Sequence, residues 1–166
     1  MPSRLFGTAS AVWLALLLCT RSESAHGQAF GLRSRDGHQS ATHDLTSQQF
    51  PFDEVRWDVI NAQERGVVAV WELTTFEVTA GRKSLNSDAA VSVRLLDSSS
   101  RKGWQVVKAS DATQLDRGRQ KATVSVSSSR NGQASFGLTV SMLSRTPASL
   151  PAGQYRAQLV GTISPL

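Results

Sequence analysis

Cysteine is almost absent from this sequence, which has one cysteine, Cys19, among 166 residues. Cys19 ends an apolar N-terminal run, so a chain that lost this run would contain no thiol at all. This scarcity excludes the small secreted scaffolds that disulfides hold together, and it excludes cysteine-based chemistry. We therefore expect a fold that is stabilised by its hydrophobic core alone.

Histidine is also scarce, and its placement argues against catalysis and metal binding. His38 and His43 are the two histidines that follow residue 27, and both lie in a polar stretch. Their separation of five residues puts them on no common face of a helix or a strand. Without a histidine beyond residue 43, the usual activated serine nucleophile has no base. The sequence predicts no metal site and no cofactor.

Other routes to catalysis find little support in the sequence. Gly-x-Ser-x-Gly, phosphate-cradling glycine loops and acidic calcium loops are absent. Asp53, Glu54 and Asp58 form the densest acidic group, but on a strand Glu54 and Asp58 would belong to a solvated outer face. A serine–lysine arrangement stays open through four lysines: Lys83, Lys102, Lys108 and Lys121. We predict that the protein is not an enzyme.

Long apolar runs are absent except at the N-terminus, where Arg4 precedes the apolar stretch Leu5–Cys19. This stretch is shorter than the roughly 20 residues that cross a bilayer as a helix, and polar residues follow it directly. We predict that residues 1–27 are a signal peptide cleaved after Gly27, with Ser24 or Ala25 as alternative cleavage positions. The mature protein is then secreted to a periplasm, a cell surface or the extracellular medium, with no transmembrane segment.

The net charge is modest once the predicted signal peptide is removed. The whole chain carries +5, and residues 28–166 hold 16 basic and 12 acidic residues, a net charge of +4. Such a balance does not indicate a nucleic-acid-binding protein. We expect partners among other protein subunits or anionic surface glycans.

Residues 28–50 differ in composition from the rest of the chain. Serine, glutamine, arginine, histidine, aspartate and glycine dominate this stretch. Its apolar residues are Ala29, Phe30, Leu32, Ala41, Leu45 and Phe50. So few apolar groups bury too little surface to offset the entropy of ordering the chain. We predict a flexible polar tail over residues 28–50.

Residues 51–166 form the predicted domain, in which apolar residues recur with a period of two. The alternating runs cover residues 67–78, 89–95, 104–108, 122–127, 134–142 and 155–163. In most runs one side is apolar and the other polar, which is typical of antiparallel sheets with one packed face. Asn131-Gly132 indicates a tight hairpin between two of these strands. We predict an all-β fold, an antiparallel β-sandwich of about seven strands.

The segment Pro51–Arg65 permits two interpretations. Phe52, Val55, Val59 and Ala62 keep helical spacing, whereas Val55, Trp57 and Val59 suit a strand. We favour the strand, because residues 61–66 would make a good hairpin loop after it.

A basic segment with one tryptophan is the candidate ligand site. Arg101, Lys102 and Lys108 surround Trp104, so an anionic glycan or a lipid headgroup could stack on the indole while cations meet its charge. The alternative is that Trp104 belongs to the core and the cations coat loops and strand edges. Trp57 and Trp71 are predicted to be core residues with Trp104.

The C-terminal stretch 150–163, Leu-Pro-Ala-Gly-Gln-Tyr-Arg-Ala-Gln-Leu-Val-Gly-Thr-Ile, resembles the closing strand of bacterial pilin-like subunits and spore coat protein U-type domains. Those chains often end in Pro-x-Gly-x-Tyr followed by an alternating strand. The resemblance implies an immunoglobulin-like subunit that is exported and assembled at the cell surface. In some families an N-terminal strand is lent to a neighbour's incomplete sheet. This chain differs from many such subunits because it lacks a cysteine pair, and Gln28–Gln49 does not alternate.

Two functions are therefore expected from the sequence. The first is an exported, non-enzymatic structural or adhesive protein of the bacterial cell surface, similar to pilin-like subunits. The alternative is a binding module for an anionic glycan or a membrane surface, centred on Trp104.

Overall fold

A computed structural model describes residues 13–19, 30–37, 39–42, 46–80, 83–99, 103–151 and 153–166 of the chain. Most of these residues lie in strands, which confirms the all-β class. The strands are β1 (Trp13–Cys19), β2 (Phe30–Ser34), β3 (Gln39–Thr42), β4 (Gln49–Pro51), β5 (Val55–Asn61), β6 (Val67–Thr74), β7 (Phe76–Ala80), β8 (Lys83–Ser98), β9 (Trp104–Lys108), β10 (Ser110–Ala112), β11 (Lys121–Ser128), β12 (Gly132–Leu143) and β13 (Tyr155–Pro165). Two short 3-10 helices cover Leu115–Arg117 and Pro147–Ser149.

The expectation of about seven strands is wrong, since the described residues contain thirteen. One reason is that the alternating run at 67–78 is two strands. Thr75 interrupts it, and its backbone N–H donates to the carbonyl of Gln120 at 3.2 Å instead of continuing the ladder. Neither short helix in the described ranges has the length or apolar character that crossing a bilayer would require.

The strands form two sets of hydrogen-bonded neighbours that share β8, and we call each set a ladder. In the first, the order is β3, β1, β13, β6, β11 and β9, with β7 pairing the start of β13. In the second, the order is β2, β5, β12, β8 and β10, with β4 on the end of β12. Residues 83–87 of β8 pair with β7, and residues 88–98 pair with β12. Among the pairings described, β1 with β13 is parallel and the others are antiparallel.

The hydrophobic core lies where side chains of the two ladders meet. Trp57 of β5 contacts Trp71 of β6 with ring centroids 6.0 Å apart, and Phe136 of β12 lies 5.8 Å from Trp71. Trp57 and Trp71 are fully buried and Trp104 is 6% exposed, which confirms the predicted tryptophan core. Burying one such side chain contributes about 1.5–3 kcal/mol.

The segment after Pro51 forms a strand, which confirms the strand that we favoured over a helix. In β5, Val55, Trp57 and Val59 are buried, while Arg56 and Asp58 are partly exposed. The period of two prevails over the helical spacing because β5 lies between β2 and β12 and buries one face completely.

Both predicted hairpins are wrong in their pairing. β11 and β12 flank Asn131-Gly132 but belong to different ladders, and β5 and β6 likewise do not pair with each other. Gly132 has φ 145°, so the turn residue is as expected, but the turn connects the ladders. The side chain of Asn61 stabilises both the β5–β6 and the β11–β12 connection, because its Nδ2 donates to the carbonyls of Arg65 and Arg130, each at 2.9 Å.

Residues assigned to the flexible tail contribute three strands, and here the structure differs from the prediction. β2 pairs with β5, β3 with β1, and β4 with β12. Phe30, Leu32 and Phe50 pack against the core. These few apolar residues are enough to order the segment, because its strands pair with other strands and its apolar side chains pack against the core. His38 and His43 lie outside the described residues.

Residues Trp13–Cys19 of the predicted signal peptide form strand β1. The predicted cleavage position after Gly27, and its alternatives at Ser24 and Ala25, lie outside the described residues.

Candidate functional site

The four residues predicted to bind an anionic ligand do not form a described site. Trp104 packs its indole against Phe136, with ring centroids 5.7 Å apart, and so offers no exposed ring face for stacking. Lys108 forms an ion pair with Asp111 at 2.8 Å. Arg101 and Lys102 lie outside the described residues. The core alternative is therefore the one that fits Trp104.

Asp111 explains why the basic segment carries less free charge than its sequence indicates. Its carboxylate contacts Lys108 on one oxygen and Arg119 on the other at 3.3 Å, and it also accepts the Thr123 backbone N–H at 2.9 Å. Burial raises the pKa of Asp111, but the hydrogen bonds from Lys108 and Thr123 outweigh burial and hold this pKa below its usual value. Asp111 thus stays ionised and neutralises part of the segment.

The open serine–lysine route finds no support in the described side chains. Lys121 forms an ion pair with Glu72 at 2.8 Å, and Lys108 is held by Asp111. The Lys83 side chain and the whole of Lys102 are outside what the structure describes. Within the described ranges, no group of three or more histidine, cysteine, aspartate or glutamate residues could hold a metal ion.

A polar cluster covers the outer face of β12, on the polar side of the alternating run at residues 134–142. Ser135 is 9% exposed, and its hydroxyl donates to Asp58 Oδ1 at 2.6 Å while accepting from Arg56 Nη2 at 3.1 Å. Arg35 pairs with the other oxygen of Asp58. Burial raises the pKa of Asp58, but the hydrogen bonds from Ser135 and Arg35 outweigh burial and hold this pKa below its usual value. Ser135 therefore faces a carboxylate already paired with arginine, which suits a structural cluster better than a nucleophile.

The edge of β13 is the feature with the clearest bearing on function. Residues 155–160 pair with β1 in parallel, from Leu14 opposite Tyr155 to Cys19 opposite Val160. On its other side β13 pairs with β7 and β6. We call residues 155–160 the β13 edge, because β1 belongs to the predicted signal peptide and is the neighbour that processing would remove.

The β13 edge lies directly beside the core. Tyr155, Ala157 and Leu159 are 1%, 4% and 0% exposed, whereas Arg156 is exposed. The Gln158 backbone N–H donates to Thr74 Oγ1 at 3.0 Å, toward β6. Because backbone groups alternate in direction along a strand, the N–H groups of Ala157 and Leu159 face β1. The edge therefore presents main-chain donors to any strand that takes the place of β1.

The C-terminal sequence resembles a closing strand, but it does not predict which strands pair with β13. Alternation in 155–163 predicts a strand with one apolar face, and it carries no information on which strand lies alongside. An apolar segment of strand length elsewhere in the chain, such as residues 13–19, is the signal that could have indicated the pairing.

No protein-family model matches this chain, and no curated protein matches it significantly.

Proposed function

We propose that this chain is an exported, non-enzymatic structural or adhesive protein of the bacterial cell surface, similar to pilin-like subunits. One observation carries the proposal: an apolar strand from the predicted signal peptide lies on the β13 edge. After export and cleavage this edge has no neighbour from residues 13–19. An unpaired edge with buried side chains beside it is a template for a strand of another chain.

The finer fold belongs to the same proposal. The two ladders would be the two layers of an immunoglobulin-like β-sandwich. Support comes from the Trp57–Trp71 contact between β5 and β6 and from the stacked rings of Phe52 and Phe76, 5.6 Å apart. Layers that face each other through such side chains are typical of β-sandwiches.

Secretion is supported by the sequence pattern of residues 1–27, and assembly by the β13 edge. The test is to produce the chain beginning at Gln28 and to measure its mass by sedimentation velocity over a range of concentrations. We expect concentration-dependent oligomers, and we expect the protein made in cells to fractionate with the envelope. A strictly monomeric protein that never associates with the envelope would contradict the proposal.

A peptide competition identifies the edge that is used. A synthetic peptide with the sequence of residues 13–19 should bind the chain beginning at Gln28 and dissociate its oligomers. The matched control is the same peptide with Leu17→Pro, because the Leu17 N–H faces β13 in the parallel pairing and proline removes this main-chain donor. Equal competition by both peptides would show that association does not use strand pairing.

A further inference from the structure

A cleft of about 780 Å³ opens where β8 passes from the first ladder to the second. Its walls come from separate parts of the chain: Gln48 and Gln49 at the start of β4, residues 85–88 of β8, residues 112–116 around the first 3-10 helix, residues 143–146 at the end of β12 and beyond it, and residues 149–151 with Tyr155. This volume lies within the range of roughly 300–1,000 Å³ found for small-molecule sites. We refer to it as the β8 cleft.

Hydrogen bonds hold the walls of the β8 cleft in place. Asp88 Oδ1 accepts from Thr113 Oγ1 at 2.8 Å and from the Leu115 backbone N–H at 2.9 Å. Arg145 bridges to Asp116 at 2.8 Å and so links the segment after β12 to the 3-10 helix. A site whose walls are already fixed loses little entropy when a ligand enters.

The lining combines free amides with exposed apolar surface. The side-chain amides of Asn86 and Gln114 make no hydrogen bond to any described residue. Leu85 is 45% exposed, and Leu115 and Leu150 are partly exposed beside it. An amide offers both a donor and an acceptor, which matches a hydroxyl group, and an apolar side chain packs against the C–H face of a sugar ring.

The charge of the lining argues against an anionic ligand. Among the described residues that line the cleft, the charged side chains are Asp88, Asp116 and Arg145. Arg145 is paired with Asp116, so no cation is left to meet an anion. A neutral ligand with many hydroxyl groups is the chemistry that remains.

We propose that the β8 cleft binds a short neutral oligosaccharide through Asn86 and Gln114. This proposal rests on the adhesive function above and gives it a ligand class. It also differs from the anionic glycan expected at Trp104, because it lies among other residues and requires no free cation.

The test is an NMR titration of the full chain with chitotriose, cellotriose and maltotriose at millimolar concentrations. We expect saturable shifts at the amides of residues 86 and 114 with at least one of these sugars. Asn86→Ala or Gln114→Ala should weaken binding about tenfold, in line with the loss of one hydrogen bond. Gln105→Ala, which removes an exposed amide on β9, is the matched control and should leave affinity unchanged.

Two comparison ligands make the result decisive. A heparin fragment or a blocked tri-alanine peptide that binds the cleft when the three sugars do not would overturn the proposal. Absence of saturable binding by all three sugars would overturn it as well. A chain that assembles but binds no sugar contradicts this inference alone, whereas a chain that binds sugar but stays monomeric contradicts the assembly.

Discussion

Single polar residues hold much of the connecting structure, and Asp88 is a clear case. Its Oδ1 is the acceptor for the Thr113 hydroxyl and the Leu115 N–H, and Thr113 is 2% exposed. Asp88→Ala leaves both donors without this acceptor, so we expect the free energy of unfolding to fall by about 1–3 kcal/mol. Urea unfolding followed by tryptophan fluorescence measures the change.

Asp97→Ala is the control for that substitution. Asp97 is exposed, and its carboxylate accepts from the backbone N–H of the adjacent Ser98. We expect a change within about 0.5 kcal/mol, as for most surface substitutions. Equal losses in the two variants would show that the hydrogen bonds accepted by Asp88 do not contribute specifically to the free energy of unfolding.

Asp58 should make stability depend on pH in acid. Its pKa in the folded protein lies below the ordinary value of 3.8. A lowered pKa adds stability that is complete above 3.8 and is lost as the pH falls through the folded pKa. We expect the wild-type chain to lose more stability than Asp58→Asn between neutral pH and acid below 3.8.

The comparison is made by urea unfolding at several pH values. Asp53→Asn, at an exposed carboxylate without a hydrogen bond to a described residue, should follow the wild-type curve. A parallel decline in Asp58→Asn and the wild type would contradict the assignment to Asp58.

At the scale of strands, the close approach of β2, β5 and β6 to β13 depends on Gly161. A Cβ atom at this position would lie 2.7 Å from Leu32 Cδ2 and 2.9 Å from Trp57 Cζ3. We expect Gly161→Ala to lower the free energy of unfolding by about 1–3 kcal/mol, because the packed rings cannot yield freely. Thermal unfolding by circular dichroism measures this loss.

Gly31→Ala in β2 is the matched substitution, since no atom lies within 4 Å of the Cβ it would add. We expect no loss of stability there. Destabilisation of Gly31→Ala as large as that of Gly161→Ala would mean that the loss comes from the glycine backbone and not from crowding.

Asn61 joins two connections between the ladders, and it is 1% exposed. Its Nδ2 donates to the carbonyls of Arg65 and Arg130, and its Oδ1 accepts the Gln63 N–H at 3.0 Å. We expect Asn61→Ala to cost about 2–3 kcal/mol of unfolding free energy, measured in urea. Asn86→Ala, at an exposed asparagine without such bonds, should cost much less.

Alternation in the sequence predicted most strands and the tryptophan core, because each depends on nearby residues. Pairing could not be predicted, since Asn131-Gly132 indicates a turn but does not show where the following strand pairs. The bulge opposite Ser135 and Phe136 is also invisible to alternation: Leu95 ends the alternating run at 89–95 and is 41% exposed. The β8 cleft has no local signal either, because its walls are distant in the sequence.

At the scale of the whole molecule, removal of residues 1–27 should lower the protection from hydrogen exchange at every second amide of the β13 edge. In the monomeric chain beginning at Gln28, we expect faster hydrogen exchange at the amides of Ala157 and Leu159 than in the full chain. The amide of Gln158, which donates to Thr74, should stay protected in both.

Hydrogen exchange read by NMR at single residues distinguishes these amides. Addition of the peptide of residues 13–19 to the shorter chain should restore protection at Ala157 and Leu159. Uniform loss of protection along β13 would indicate unfolding of the strand, and unchanged protection would contradict the pairing seen with β1.

The single backbone that runs through Lys83–Ser98 has a mechanical consequence. Because this backbone belongs to both ladders, a pull that separates them is resisted by covalent bonds at β8 and by hydrogen bonds in shear along β7 and β12. We expect such a pull to break whole rows of these hydrogen bonds together and not one bond at a time.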